Sequence, residues 1–247
     1  MRRRSTFQFS FSGALLLCGF VTKAIHRCIC TPLSINVPLI LCTGGFKVWE
    51  CSLDLAKFIA GQADEQWRGL TVLEIGCGHG LPGLVALRKG AAVHFQDYNL
   101  EVLERVTWPN VRLNVPSVEI GIERRIPRLI SGDWSALRSW MVEGQQSYDR
   151  IITAETIYSL ESMRSLFELI KAVLAPNGIA YVAAKTYYFG VGGSTLKFKQ
   201  LVRNCGFECT EVAVVRDGTS NFREILCILR PQTAFAAVVA GGVGVTM

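Results

Sequence analysis

The chain has 247 residues, half of them apolar and 19% charged, which excludes a disordered or solvating polymer and leaves enough chain for a substantial core. Its net charge of +6 is unevenly placed: six basic residues (Arg2, Arg3, Arg4, Lys23, Arg27 and Lys47) precede the first acid, Glu50. The other 20 Lys and Arg (26 less 6) balance the 20 acids, so the body is neutral and shows no nucleic-acid footprint. Nine cysteines and three histidines lack paired CxxC or zinc-ligand spacing, so no metal site is expected. Cys18, Cys42, Cys205 and Cys227 sit among apolar neighbours and read as buried thiols in a reducing compartment.

Residues 1–43 differ in character from the rest of the chain. Arg2–Arg4 and the run Gly13–Val21 imitate the charged and apolar regions of a signal peptide, and the scarcity of acids also suits a transit peptide. The apolar run is too short to span a bilayer, so no stable membrane insertion is expected. The other reading is an unstructured or artefactual extension. Residues 44–230 read as one domain, and 231–247, apolar and free of charge after Pro231, as a flexible tail.

Within that domain, Leu53, Leu55, Ala56 and Ile59 give the helical spacing of Trp49–Ala60. Leu70–Ile75 is a buried strand, followed by a helix over Leu81–Lys89. Ala91–Gln96 is a second strand, with a helix over Leu100–Val106. Pro127–Ile130 and Arg150–Thr153 are further strands, each followed by a helix (Ala136–Val142, Leu160–Leu174). Pro176-Asn-Gly178 ends the second of these. Ile179–Ala184 is a strand, Thr195–Asn204 a helix, and Glu208–Val215 and Phe222–Leu229 form a hairpin through Asp217-Gly218. Repeated strand–helix alternation predicts an α/β, Rossmann-like fold with a mostly parallel sheet and an antiparallel last strand.

The first strand runs into Glu74-Ile-Gly76-Cys-Gly78-His-Gly80. Glycines here allow a tight turn and close approach of a ligand to backbone, ahead of a helix N-terminus with unpaired N–H groups. Asp97, at the end of the second strand, is placed to accept from ribose hydroxyls. Together these specify an adenosine-type cofactor, and Gly78-x-Gly80-x-x-Gly83 keeps a dinucleotide open. Glu74 separates the candidates, because an acid before the loop can bind an ammonium. S-adenosylmethionine carries one and NAD does not.

Further motifs occur in order: Gly44-Gly-Phe-Lys-Val-Trp49-Glu-Cys, Gln96-Asp-Tyr-Asn99, Ser131-Gly-Asp-Trp134, Glu155-Thr-Ile-Tyr158 and Tyr188-Phe-Gly-Val-Gly-Gly193. This set resembles the protein-histidine methyltransferases, a branch of the seven-strand methyltransferases that also holds protein-lysine methyltransferases. The likeness runs from about Gly44 to Arg230. It implies a seven-stranded sheet with helices on both faces, and S-adenosylmethionine as cofactor. It also implies cofactor contacts from Trp49, Glu50, Cys51, Ser52, Glu74, Gly76, Gly78, Gln96, Asp97, Tyr98, Gly132, Asp133, Trp134 and Ala154. Trp134 offers a stacking face and Asp133 an acceptor for the adenine amino group.

The resemblance places Glu155 and Tyr158 at the reacting centre. Asn99, Tyr187, Tyr188 and Gly190 are expected on the substrate side, where aromatics beside a glycine loop suit a peptide-gripping wall. A histidine target is mostly uncharged at neutral pH, so Glu155 need only orient the imidazole and relieve its charge. The expected activity is methyl transfer to a histidine of a protein, with a ribosomal protein as the implied target and the cytoplasm and nucleus as the implied location. A protein-lysine methyltransferase and a catalytically silent, cofactor-binding scaffold are the alternatives.

Overall fold

The computed structural model describes residues 44–114, 127–216 and 222–231. A seven-stranded sheet has the order β3-β2-β1-β4-β5-β7-β6. The chain divides into two compact units at Ser131/Gly132.

In the first unit, a short 3-10 turn (Gly44–Phe46) leads into α1 (Glu50–Ala60), whose Cys51, Leu55, Ala56 and Ile59 are buried. Next come β1 (Thr71–Ile75), α2 (Leu81–Arg88) and β2 (Ala92–Asp97). β1 lies parallel to β2, and β2 parallel to β3 (Arg128–Ser131). Val72, Leu73, Ile75, Val93 and Phe95 are almost fully buried, as expected where both strand faces are covered. Between β2 and β3 the helix expected to stop at Val106 continues. α3 (Leu100–Val102) passes through a π-helical stretch (Leu103–Thr107) into α4 (Trp108–Asn114). Pro109 is tolerated because it occupies the first turn after the π stretch, where its missing N–H costs little.

The second unit contains α5 (Trp134–Glu143), β4 (Tyr148–Ala154), α6 (Leu160–Val173), β5 (Leu174–Lys185), α7 (Thr195–Asn204), β6 (Glu208–Val215) and β7 (Arg223–Leu229). β4 and β5 are parallel, and β7 runs antiparallel to both β5 and β6. The hairpin turn at Asp217-Gly218 lies outside the described residues. α6 is capped by Ser159 and Ser162, which bond reciprocally in a capping box. Its Met163, Leu166, Phe167, Ile170 and Val173 form one buried face. Phe167 meets Phe198 and Phe207 edge-on, with centroids 6.3 and 5.3 Å away.

Two expectations need correction. Pro176-Asn-Gly178 does not separate helix from strand, because β5 begins at Leu174 and carries those residues as an irregularity. Tyr148 pairs with Leu174 and Arg150 with Ile179, so the intervening residues bulge out of the ladder, where a missing proline N–H is harmless. Cys205 is exposed at the end of α7, whereas Cys227 is half-buried; Cys18 and Cys42 lie outside the described residues.

The loop after β5 closes on itself. Tyr188 N–H donates to Gly193 O (2.9 Å), and Gly193 N–H to Tyr158 O (2.9 Å). A Cβ on Gly193 would collide with the backbone of Ile157 and Tyr158, whereas one on Gly190 would meet nothing within 4 Å. Gly193→Ala should therefore lower unfolding stability by about 1–3 kcal/mol. Gly190→Ala, strained only by its φ of +79°, should cost about 1 kcal/mol. Denaturant melts of the two variants check this order, and equal midpoints would refute it.

Candidate active site

The first unit contains a glycine loop held by buried carboxylates. Gly76, Gly78 and Gly80 all have positive φ (61°, 50° and 70°), a conformation that side chains resist. Gln96, fully buried at the end of β2, takes Gly76 N–H on its Oε1 (3.2 Å) and Cys77 N–H on its backbone carbonyl (2.8 Å). Asp97 accepts Gly78 N–H on Oδ2 (3.0 Å) and Asn99 N–H on Oδ1 (3.1 Å). From the π stretch, Thr107 donates to Gly78 O (2.6 Å), and from α4, Asn110 donates to His79 O (3.1 Å).

Glu74 lies beneath this loop, 3% exposed, and accepts Gly83 N–H (2.9 Å) in the first turn of α2. Burial drives its carboxyl well above the ordinary 4.5, the Gly83 bond opposes this, and the Asp97 charge adds to it. Burial also raises Asp97, against the pull of its backbone N–H partners Asn99, Gly78 and Tyr98. Glu74, expected to bind an ammonium, fastens the loop to the helix through its bond to Gly83.

The segment before α1 lies on this loop. His79 Nε2 donates to Phe46 O (3.0 Å), and Trp49 Nε1 to Gly44 O (3.0 Å). A Cβ on Gly78 would stand 3.1 Å from Gly45 O, and one on Gly45 would stand 3.1 Å from Asp97 Oδ2. At Gly78 the bare backbone allows the two segments to approach, and at Gly45 a Cβ would also press on the Val102 side chain at 2.8 Å. Burial lowers the His79 pKa, opposed by the Phe46 bond. Trp49 is half-buried under Lys47, whose Nζ sits 4.5 Å from the ring centroid, and begins the helix as its N-cap. Cys51 is buried, Glu50 and Ser52 half-buried, and Tyr98 and Asn99 are exposed just beyond β2.

The donor set fits an adenosine-type cofactor. Asp97 takes its backbone N–H partners on a carboxylate with about four lone-pair sites, which leaves acceptor capacity for a ribose hydroxyl. The left-handed glycines leave backbone bare before a helix start that lacks a side-chain cap.

The second unit, taken by itself, holds two groups. Asp133 caps α5, its Oδ1 accepting from Ser135 N–H (2.8 Å) and Ala136 N–H (3.3 Å), which fixes the carboxylate beside half-buried Trp134. Gly132, with φ +140°, supplies the turn before it. At the end of β4, Ala154 precedes Glu155, which has a φ of +59° and is only 8% exposed. Tyr188 OH donates to Glu155 Oε2 at 2.6 Å. Oε1 is buried with no hydrogen-bond partner and lies 3.7 Å from Lys185 Nζ. Tyr187 packs edge-on against Phe189 (4.8 Å), and both are exposed, as is Tyr158.

Thus Glu155 and Tyr188 are joined directly, as are Gly78 and Asp97, and Gly76 and Gln96. Sequence reasoning missed Lys185, Thr107, Asn110 and the Phe46–His79 bond. No spacing rule links residues about thirty positions from the loop they brace; the nearest signal for Lys185 is its place at the end of a strand. Among the described residues no cluster of His, Cys, Asp and Glu could hold a metal, and no helix is long and apolar enough to cross a membrane.

The strand order, the single antiparallel strand and the glycine loop define a class, the S-adenosylmethionine-dependent methyltransferase fold. The SAM-dependent methyltransferase from Agrobacterium tumefaciens shares it, with a TM-score of 0.55 at 18% identity over 75% of this chain and 63% of that one. A family described as lysine methyltransferase matches residues 40–190, and the chain belongs to that family. It is 41% identical over 184 residues to a histidine protein methyltransferase 1 homolog of Dictyostelium discoideum, covering 74% of this chain and 57% of the relative. The homolog of Rattus norvegicus is 36% identical over 200 residues, with 72% and 55% covered. The chain thus spans a little over half the length of these relatives.

Glu74 supplies a test of the loop's electrostatics. A carboxyl raised by burial favours folding below its ordinary value of 4.5, and that stability is lost as pH climbs toward the folded value. Glu74→Gln keeps an acceptor for Gly83 without the charge. Its unfolding free energy should gain on the parent from about pH 4.5 upward, by up to about 1.4 kcal/mol per pH unit inside the window, as read from denaturant melts at each pH. A difference that stays flat with pH would rule this out.

Proposed function

We propose that this protein transfers a methyl group from S-adenosylmethionine to a side-chain nitrogen of a histidine in a protein substrate. The observation that carries the reading is Glu155. Its Oε2 is clamped by Tyr188, and its buried Oε1 accepts no hydrogen bond. A buried acceptor left open at a strand end suits a donor brought by a substrate. An imidazole brings one, since its second ring nitrogen carries N–H while the first keeps a lone pair. The names of the relatives support the same residue class.

When bound, S-adenosylmethionine supplies a methyl group on sulfonium sulfur, open to in-line displacement. Asp97, Gln96 and the Gly76–Gly80 loop are the proposed cradle, with Glu74 behind it and Trp49, Glu50, Cys51, Ser52 and Tyr98 around it. Gly132, Asp133, Trp134 and Ala154 are proposed for the adenine side. Glu155 orients the imidazole through its N–H and disperses the positive charge that builds on the ring. Tyr158, Tyr187, Asn99 and Gly190 are proposed to hold the surrounding peptide. A histidine, mostly uncharged at neutral pH, needs no strong base. A lysine would first have to lose a proton from a group of reference pKa about 10.4.

A ribosomal protein is the first substrate to test, and cytoplasmic and nuclear placement belongs to the same proposal. A lysine target is the second reading, favoured by the description of the family. The chain is incubated with radiolabelled S-adenosylmethionine and an extract of cells lacking the protein, and the labelled band is digested for mass spectrometry. Methylhistidine is expected, and methyllysine would transfer the activity to the second reading. Glu155→Gln and Glu155→Ala should each lower the rate by about 100-fold or more while S-adenosylhomocysteine still binds. Full transfer by both variants would remove Glu155 from the mechanism.

A further inference from the structure

A carboxylate alone is a poor neighbour for a nucleophilic imidazole. An opposite charge within about 4–6 Å favours the protonated ring, and an imidazolium has no lone pair with which to attack. If Glu155 stood alone, the group that orients the substrate would also disarm it. The structure places a cation where it offsets this effect. Lys185 Nζ lies 3.7 Å from Glu155 Oε1, the oxygen with no hydrogen bond. The side chains of Lys185 and Glu155 are 21% and 4% exposed, so water screens the pair only in part.

The position is built rather than incidental. Lys185 is the last residue of β5, and its backbone N–H donates to Tyr188 Oη (3.2 Å). The same hydroxyl donates to Glu155 Oε2 (2.6 Å). One tyrosine therefore ties the lysine backbone to the carboxylate, and the strand end delivers the ammonium to the other oxygen. Arg223, buried on β7, is the register partner of Lys185. Glu224 beside it is engaged by Lys199 from α7 at 2.7 Å. Tyr158 and Tyr188 supply the nearby phenols.

We propose that Lys185 is a positioning residue whose ammonium offsets the Glu155 charge and keeps the substrate imidazole uncharged before methyl transfer. This rests on the histidine reading above. The step concerned is a protonation equilibrium: the imidazolium gives one proton to water, and the neutral ring stays hydrogen-bonded to Glu155. Removing the ammonium leaves the carboxylate charge uncompensated, which keeps the proton on the ring, so the acid limb of the rate profile moves to higher pH.

The test uses the full chain, tritiated S-adenosylmethionine and extract from cells lacking the protein, with methylhistidine formation measured from about pH 5.5 to 9, a range that brackets the titration of a histidine. Lys185→Met should shift the acid limb up by about one unit. Its loss of rate at about pH 6 should be about tenfold greater than its loss at about pH 8.5. Lys185→Arg, which keeps the charge, should leave the limb in place. Lys185→Gln serves as a second uncharged variant should the Met protein not fold, judged by its melting curve and S-adenosylhomocysteine binding. A loss by the same factor at every pH, or an equal limb shift in Lys185→Arg, overturns the role of Lys185 alone. Methyllysine made by the unsubstituted chain overturns the histidine reading beneath it.

Discussion

The bond from Gly78 N–H to Asp97 Oδ2 is the constraint on which the glycine loop of the first unit depends. It joins the glycine loop after β1 to the end of β2. It also holds the acid in the place where the Gly44–Phe46 turn must pass, since Gly45 has no space for a Cβ beside Asp97. Gln96 repeats the arrangement one residue earlier by holding Gly76 N–H. The strand end thus grips two of the three loop glycines from below, while Thr107 and Asn110 take the carbonyls of Gly78 and His79. A loop with this much left-handed backbone would otherwise have many competing conformations; here backbone groups of Gly76, Cys77, Gly78 and His79 each have a fixed partner.

A different solution operates at the end of β4. Glu155 adopts φ +59° without being glycine, a strain of about 1–2 kcal/mol for an L-residue. The surrounding contacts hold it there. Its N–H bonds Ala183 O on β5 (3.0 Å), Tyr188 fixes Oε2, and Thr153 and Thr156 share a hydrogen bond of 2.8 Å across the turn. The result is a carboxylate with one oxygen committed and one available. In the first unit the backbone is permissive, and the carboxylates of Glu74 and Asp97 are engaged by backbone N–H groups. At Glu155 the backbone is strained and a side-chain atom is left open, as expected for a group awaiting a partner.

Much of this was legible in the chain itself. Apolar runs and glycine punctuation located the described strands closely, apart from the start of β5, because buried parallel strands leave continuous apolar signatures. The elements that were misjudged contain proline. Pro109 continues inside a helix because a π stretch precedes it, and Pro176 sits within β5 because the bulge there needs no N–H. In both cases longer-range geometry overrides a local rule. At the site, Gly76, Gly78, Asp97 and Glu155 were readable from motif and strand position. Lys185 was not, because a lysine ending a strand looks like any solvated charge until its distance to an acid is known.

The family description names lysine, whereas the Dictyostelium and rat relatives are histidine methyltransferase homologs, and the chemistry around Glu155 bears on that difference. A lone buried carboxylate binds an ammonium well and thereby holds it protonated, which hinders attack by a lysine. The same carboxylate paired with Lys185 presents a locally compensated acceptor. Such a site has little attraction for a second ammonium, yet it can still receive the N–H of an uncharged ring. The clamp by Tyr188 fixes the direction of acceptance, which matters for a planar ring whose two nitrogens must be told apart and matters less for a freely rotating ammonium. On the histidine reading proposed above, charge balance and direction at Glu155 act together, and both depend on the geometry at the end of β5.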